Sequence, residues 1–535
     1  MDNTRANPRG HPRLKPYNPI KRGYLALEAW FNVSFTPAWN PLYHLGTLAF
    51  FFLWVVLISG LYLFIFFNIS THGAYASVER ITHEQWYLGG VMRSLHRYAS
   101  DAAMLMILLH MFREFALDRY RGFRWYSWLT GVPTLWMVVL LGITGYWLVW
   151  DLLAQYVAIG SSRLMDAVPI FPEAMTRNFL AGHLSDRFFI LMGFLHLLGQ
   201  PMILVFMLWF HVRRLSQVEI NPPRGLAIGS FIALLGLSLA MPAISHAPAD
   251  LSRVPAVLNL DWFYLNIYPL LDYWTAGETW LLTTGITLFL MLMPWLPWRR
   301  TGPAAVVDLN HCNGCGQCFA DCPFDAISLQ KRTDGARWEY EVAVTPELCA
   351  ACGICMGSCP SSNPLRRAET VLKTGIDMPQ LPIHEIRART QSLLAQLGSS
   401  PSPRILIFGC EHGFDVTRLN STDTLGMRLF CAGMLPPTLI EYALKNGADG
   451  VLVTGCRASD CYFRFGNKWL AGRIAGMRKP VLRSRVDPQR LKIHGAAETD
   501  GARLKRELAA FRQSLLGLQT EPGASRADRG VDHVG

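Results

Sequence analysis

Five stretches of this chain run for about 20 residues or more without a formal charge, long enough to cross a bilayer as a helix. They are Leu45 to Asn68, Trp125 to Trp150, Phe188 to Val212, Gly225 to Ala249 and Thr279 to Trp298. A sixth stretch, Arg93 to Met111, carries Arg97 and Asp101. Charges inside a span are costly and mark function. The pattern predicts an α-helical membrane bundle of about six spans over residues 1–300. With hydrophobic residues at 51% and charged ones at 17%, disorder and an ordinary soluble fold are both excluded. Residues 1–22 are polar, basic and Pro-rich, so no signal peptide is expected.

The net charge of +11 would suit nucleic acid, but its distribution argues against that partner. With an inside N-terminus and six spans, the inside segments hold 15 Lys and Arg against 6 outside, and 5 acidic residues against 10. This positive-inside bias predicts a multi-pass protein of the inner (cytoplasmic) membrane with both termini in the cytoplasm. All 12 cysteines lie between Cys312 and Cys461, a placement that suits metal binding in a reducing compartment rather than a disulfide scaffold.

Two of the apolar helices carry paired histidines, His96 with His110 and His196 with His211, fourteen and fifteen residues apart. Fourteen residues is close to four helical turns, so both histidines of a helix share a face about 21 Å apart. Two such helices facing each other stack two pairs of imidazoles, and neutral imidazole is an axial ligand for haem iron. Hydrogen bonding between neighbouring helices is the bland alternative. Gly46 and Gly60, then Gly131 and Gly145, repeat the fourteen-residue spacing and permit close approach of a helix or of a flat cofactor. Arg93 and Arg113 stand three residues outward of His96 and His110, where a guanidinium can pair with a haem propionate or simply set topology.

These residues, with "RSLHRYASDAAMLMILLHMFR", "TGVPTLWMVVLLGITGYWLVWD" and "RFFILMGFLHLLGQPMILVFMLWFHVRR", resemble cytochrome b in its chloroplast-type form over residues 24–298. The resemblance implies a four-helix core with two b haems. His96 and His196 would hold the outer haem, His110 and His211 the inner one. It also implies quinone or quinol as substrate and membership of a larger complex, with a Rieske protein as one partner and a homodimer as the habitual assembly. "APADLSRVP" and "LDWFYLNIYPLLDYW" resemble the region that shapes the family's outer quinol site. There the chain departs from the pattern: the family's Pro-Glu-Trp-Tyr is Leu260-Asp261-Trp262-Phe263, and a family proline is Val149. Asp261 is the candidate quinol proton acceptor.

Residues 303–365 contain Cys312-x2-Cys315-x2-Cys318-x3-Cys322-Pro323 and Cys349-x2-Cys352-x2-Cys355-x3-Cys359-Pro360. This is the bacterial two-cluster ferredoxin signature, in which each fourth cysteine serves the other cluster. Cluster one then takes Cys312, Cys315, Cys318 and Cys359. Cluster two takes Cys349, Cys352, Cys355 and Cys322. Both are [4Fe-4S] on a ferredoxin-like α+β fold; zinc is the alternative, although its sites usually pair two short knuckles.

After a polar linker, 366–400, the segment 401–519 reads as a small α/β domain with a parallel sheet. "RILIFGC" and "GVLVTGC" are buried strands flanking a helix in "PPTLIEYALKNGADG". Parallel sheets collect their sites at the carboxyl ends of strands. Cys410, Cys431, Cys456 and Cys461 converge there as a four-thiolate set, or are free core cysteines. "FCAGMLPPTLIEYALKNGADGVLVTGCRASDCYFRFGN" resembles the delta subunit of methyl-viologen-reducing hydrogenase. That implies a [2Fe-2S] cluster and a heterodisulfide-reductase-like flavoprotein, a hydrogenase or a ferredoxin as cytoplasmic partner, docked on this domain. Residues 520–535 are expected to be disordered.

The chain therefore reads as an oxidoreductase subunit of respiratory electron transport, joining the membrane quinone pool to a cytoplasmic redox protein. The alternative is a membrane anchor for a hydrogenase- or heterodisulfide-reductase-like complex, without quinone turnover of its own.

Overall fold

Helices stand at each of the six places where spans are expected. The computed structural model describes residues 18–169, 182–253, 257–261, 263–296, 302–366, 371–398, 402–457 and 460–520. In chain order, α1 is Pro19–Trp39, α2 Leu45–Phe66, α3 Ala74–His83, α4 Val91–Ala116, α5 Trp125–Val149 and α6 Leu152–Asp166. Helices Gly182–Phe194, Gln200–Val212, Arg224–Ala240 and Ala276–Leu292 follow. Among the described residues, four segments are apolar and long enough to cross a membrane: Leu45–Phe66, Gly122–Val149, Asp186–Val212 and Ala276–Trp295. In α4 the length is present, but Arg93, Arg97, Asp101, Arg113 and Glu114 dilute its hydropathy. The fifth expected span, Gly225 to Ala249, is shorter than its apolar composition suggests. Its helix stops at Ala240, just before Pro242, which cannot donate to the preceding turn.

α2 packs along α4, and α5 packs along Gln200–Val212. Between Gly182–Phe194 and Gln200–Val212 the helix widens into one π-turn, Leu195–Gly199. A π-turn accommodates one extra residue without ending the helix. It explains why His196 and His211 stand fifteen apart while the glycines opposite them on α5 stand fourteen apart.

The soluble half holds two antiparallel pairs, β1 (Val306–Val307) with β4 (Ile376–Asp377) and β2 (Ile327–Lys331) with β3 (Tyr340–Val344). β5 (Ile405–Cys410), β6 (Thr424–Leu429), β7 (Gly450–Gly455) and β8 (Leu491–Gly495) form one parallel sheet in the order β6-β5-β7-β8. The expected "RILIFGC" and "GVLVTGC" strands are β5 and β7, parallel neighbours with Ile405 opposite Gly450. The segment read as a polar linker contributes β4 and the helix Ile383–Gln396, whose Ile383, Ile386 and Leu394 join one core with both cysteine-bearing segments. Periodicity hid this, because only one face of that helix is apolar. Of the expected disordered tail, 520–535, Thr520 closes the helix Gly501–Thr520, and residues 521–535 lie outside the described residues.

The two halves meet through buried charge. Arg113 donates from Nη2 to Glu28 Oε1 at 3.0 Å and to Asp460 Oδ1 at 2.6 Å. Arg119 also pairs with Asp460, and Arg457 lies 3.5 Å from Glu28 and pairs with Asp500. Glu114 lies 3.6 Å from Arg113 and 3.1 Å from Arg124, so four guanidiniums and four carboxylates cancel, and Glu28 is fully buried. Removing one partner of such a network costs about 3–5 kcal/mol, because a buried charge is left uncompensated. Glu28→Gln is expected to lower the thermal midpoint at which the soluble half separates from the membrane half, with Glu28→Asp intermediate; limited proteolysis of detergent-solubilised protein reads the separation.

Candidate redox centres

Each of the four histidines sits against one of the four glycines. A Cβ added at Gly60 would stand 2.9 Å from His96 Cε1, one at Gly145 3.0 Å from His196 Cε1, and one at Gly131 3.2 Å from His211 Cε1. At Gly46 the distance to His110 Cε1 is a looser 3.6 Å. The bare backbone lets the ring reach a main-chain carbonyl one helical turn earlier. His96 Nδ1 donates to Val56 O at 2.9 Å, and His196 and His211 donate likewise to Leu141 and Ser127. Each acceptor lies four residues before the corresponding glycine. For His110 that position is Leu42, which precedes α2, in keeping with its looser contact.

Hydroxyls complete the arrangement. Ser59, Thr130 and Thr144, each just before its glycine, bring Oγ within 3.2, 3.3 and 3.1 Å of His96, His211 and His196 Nδ1 respectively. With Nδ1 committed, Nε2 is the nitrogen an iron would take. The His96 and His196 ring centroids are 6.3 Å apart. Two imidazoles bound to one metal through bonds of about 2.0–2.1 Å have centroids about 6 Å apart, so the pair fits axial ligation. Sequence reasoning missed the hydroxyls, although Ser-Gly and Thr-Gly dipeptides mark three of the four sites.

The two arginines have protein partners. Arg93 donates to Thr82 Oγ1 at 2.5 Å and to Ser245 Oγ at 2.7 Å, while Arg113 serves the inter-half network. Asp261 is also committed: Oδ1 accepts from the Phe263 and Tyr264 amides at 2.8 and 2.7 Å, and Oδ2 from Arg97 at 2.8 Å. Trp262 lies outside the described residues.

In the ferredoxin-type segment, the crossed cysteine sets line two separate cavities. Cys312, Cys315, Cys318 and Cys359 surround one, with Val342 and Ile376. Cys322, Cys349, Cys352 and Cys355 surround another, with Phe324 and Ile354. Among the described residues no three His, Cys, Asp or Glu converge on a single ion, so these thiols ring a volume rather than a point. That arrangement fits a cubane better than zinc. Gly316 and Gly353, between the second and third cysteines of each run, have φ of +69° and +74°, where a side chain would strain the loop. Cys315 is exposed, whereas Cys352 and Cys355 are buried.

Strand order assembles the third set. β6, β5 and β7 lie side by side, and Cys431, Cys410 and Cys456 follow from their carboxyl ends. Cys410 Sγ is 4.0 Å from Cys456 Sγ, and the four thiols form a hydrogen-bonded ring in which Cys431 and Cys456 each bridge Cys410 and Cys461. These bonds hold the Cys410 and Cys461 thiols well below their usual range and push the Cys431 and Cys456 thiols well above it, as expected where four thiols share protons in one ring. The His412 amide donates to Cys410 Sγ at 3.4 Å and the Tyr462 amide to Cys456 Sγ at 3.5 Å. Cys410, Cys431 and Cys456 are buried, Cys410 and Cys456 within the core of the soluble half, and Cys461 is partly exposed.

Both cysteine-bearing segments touch the end of the membrane half that holds His110 and His211. Ser216, five residues after His211, donates to Cys322 O at 2.9 Å, and Arg464 ties Ser216 O to Pro323 O. Phe123 packs on Phe324 and Phe463 at 4.7 and 5.7 Å, and Tyr462 stacks on His412 at 3.5 Å.

Residues 32–219 match the family described as cytochrome b/b6/petB, 311–363 the 4Fe-4S dicluster domain, and 416–518 the delta subunit of methyl-viologen-reducing hydrogenase. The chain is 26% identical to the cytochrome b6 of Heliobacterium mobile over 189 residues, 34% of this chain and 86% of that protein. It is 28% identical to the menaquinol:cytochrome c reductase cytochrome b subunit of Bacillus subtilis, over 27% of this chain and 66% of that one. A solved chain titled hyperthermophilic respiratory Complex III aligns at 19% identity and a TM-score of 0.39, over 51% of this chain and 80% of that one. The class is that of a membrane electron-transfer subunit. Within it, this chain joins a cytochrome b segment, a dicluster segment and a hydrogenase delta-subunit segment, in that order.

The glycine contacts rank substitutions. Gly60→Ala and Gly145→Ala are expected to cost purified protein the haem between His96 and His196, while Gly46→Ala retains both; pyridine haemochrome content against protein measures it.

Proposed function

We propose that the chain carries electrons between the membrane quinone pool and a soluble cytoplasmic redox protein. His96 with His196 and His110 with His211 hold two b haems. Cys312, Cys315, Cys318 and Cys359 hold one [4Fe-4S] cluster, and Cys349, Cys352, Cys355 and Cys322 the other. Cys410, Cys431, Cys456 and Cys461 hold a [2Fe-2S] cluster. These groups supply one-electron chemistry. The chain's own residues fix imidazole tautomers, provide thiolates, exclude water and join the two halves. The observation that carries the reading is the matched set of four histidine–glycine contacts, because an anchor without haem has no use for them.

The positive-inside bias supports a cytoplasmic soluble half. The exposure of Cys315, with exposed Phe319 beside Cys318, supports entry of the soluble carrier at the dicluster segment rather than at the largely buried C-terminal set. Arg113 and Arg93 remain within the haem-bearing helix and can meet propionates only by sharing them with the partners they already have. A Rieske protein and a second copy of the chain are the partners that the cytochrome b segment adds.

The test is reduction of the b-type absorbance in purified protein by a short-chain menaquinol or ubiquinol. Reduction supports turnover at the membrane; haem that is present but untouched by either quinol supports the anchor reading instead. Phe319→Glu is expected to slow haem reduction by a reduced two-cluster ferredoxin several-fold, while Met477→Glu, on the exposed surface of the C-terminal segment, leaves it unchanged.

A further inference from the structure

Two carboxylates and one guanidinium meet inside the membrane half, one and a half turns from His96. Arg97 and Asp101 lie four apart on α4 and form an ion pair, and Asp261 comes from the loop that follows Arg224–Ala240. The Arg97 guanidinium also lies 4.9 Å from the centre of the Tyr146 ring on α5, while Tyr264 Oη bonds to Ser100. The titratable and charged groups facing this pocket are therefore Arg97 and Asp101 from α4, Tyr146 from α5, and Asp261 and Tyr264 from the loop. Their formal sum is one negative charge in a low-dielectric site, an arrangement that binding a proton neutralises.

The two carboxylates are not equivalent. Asp261 spends Oδ1 on two backbone amides and Oδ2 on Arg97, and its side chain is 4% exposed. Those amide bonds fold the 261–264 turn, so protonating Asp261 would loosen the loop it caps. Among the described residues Asp101 pairs with Arg97 alone, and its side chain is 21% exposed against 4% for Asp261.

Resting on the quinone reading above, we propose that Asp101 is the residue that exchanges protons with the quinone at this pocket. Arg97 and Asp261 act as positioning residues. In each of two successive one-electron steps of quinol oxidation, one phenolic O–H breaks. Its proton would go to the Asp101 carboxylate, and the electron would pass to the b haem that His96 and His196 would hold, which must hand it on toward the His110 and His211 pair before it can take the second. Asp101 then releases the proton to water before the second step, so two protons and two electrons leave each quinol. The pairing of Asp101 with Arg97 in α4 supplies, from within a span, what the shortened side chain at position 261 no longer delivers.

Full-length protein carrying Asp101→Asn, Asp101→Glu or Asp261→Asn tests this assignment, with a short-chain menaquinol as the probe and haem content as the folding control. The expected result is that Asp101→Asn keeps both haems and their spectra but slows haem reduction by quinol at least tenfold. Asp101→Glu restores most of the rate with a displaced pH profile. The redox-induced infrared difference spectrum loses a carboxylic acid band in Asp101→Asn and keeps it in Asp261→Asn. Wild-type rates in Asp101→Asn, or a band lost only in Asp261→Asn, overturn the assignment and leave the quinone reading standing. Wild-type haem that neither menaquinol nor ubiquinol reduces overturns both.

Discussion

The buried junction of Arg113 with Glu28 and Asp460 decides what this chain is as a physical object. Arg113 lies three residues from His110, and Asp460 immediately precedes Cys461. One side chain therefore ties a histidine-bearing helix to a cysteine-bearing loop that is 347 residues away in sequence. Charges are expensive to bury unless they are matched, and here four of each sign are matched among themselves. A junction of this kind tolerates little sliding, because any shift would strand a guanidinium or a carboxylate away from water. Ser216 on Cys322 and Phe123 on Phe324 extend the contact, so both cysteine assemblies rest on the end of the bundle that holds His110 and His211.

Within the bundle the governing constraint is approach distance. A haem ligand must be held at Nδ1 and open at Nε2, and in a helix the carbonyl that can hold Nδ1 is covered by ordinary side chains. Glycine uncovers it. The preceding Ser or Thr adds a second oxygen, and the repeat of fourteen in α2 and α5 answers the repeat in the histidine helices. Where the histidine spacing grows to fifteen, the π-turn Leu195–Gly199 absorbs the difference.

Much of this was legible in the sequence because it is periodic. Span positions, the histidine and glycine registers, the crossed cysteine runs and the strand–helix–strand unit all leave fixed spacings. The rest depends on contacts between distant segments, which leave none. Glu28 and Asp460 read as ordinary surface acids until the halves are docked. Arg113 reads as a propionate partner because only its helical neighbour is visible in sequence. The 371–398 segment reads as linker because burial on one face of a short helix barely changes composition. Asp261 reads as a free proton acceptor, yet its oxygens are taken up by the Phe263 and Tyr264 amides and by Arg97.

The central claim is that the inner histidine pair and the cysteine assemblies form one closely coupled unit. It is tested most directly by electron paramagnetic resonance of full-length protein with its iron–sulfur clusters reduced and its haems oxidised. A low-spin ferric haem between His110 and His211 should speed relaxation of a nearby cluster signal. His110→Ala, which removes that haem, is predicted to slow the relaxation, and His96→Ala to leave it as in the wild type. Equal relaxation in all three proteins would contradict the account.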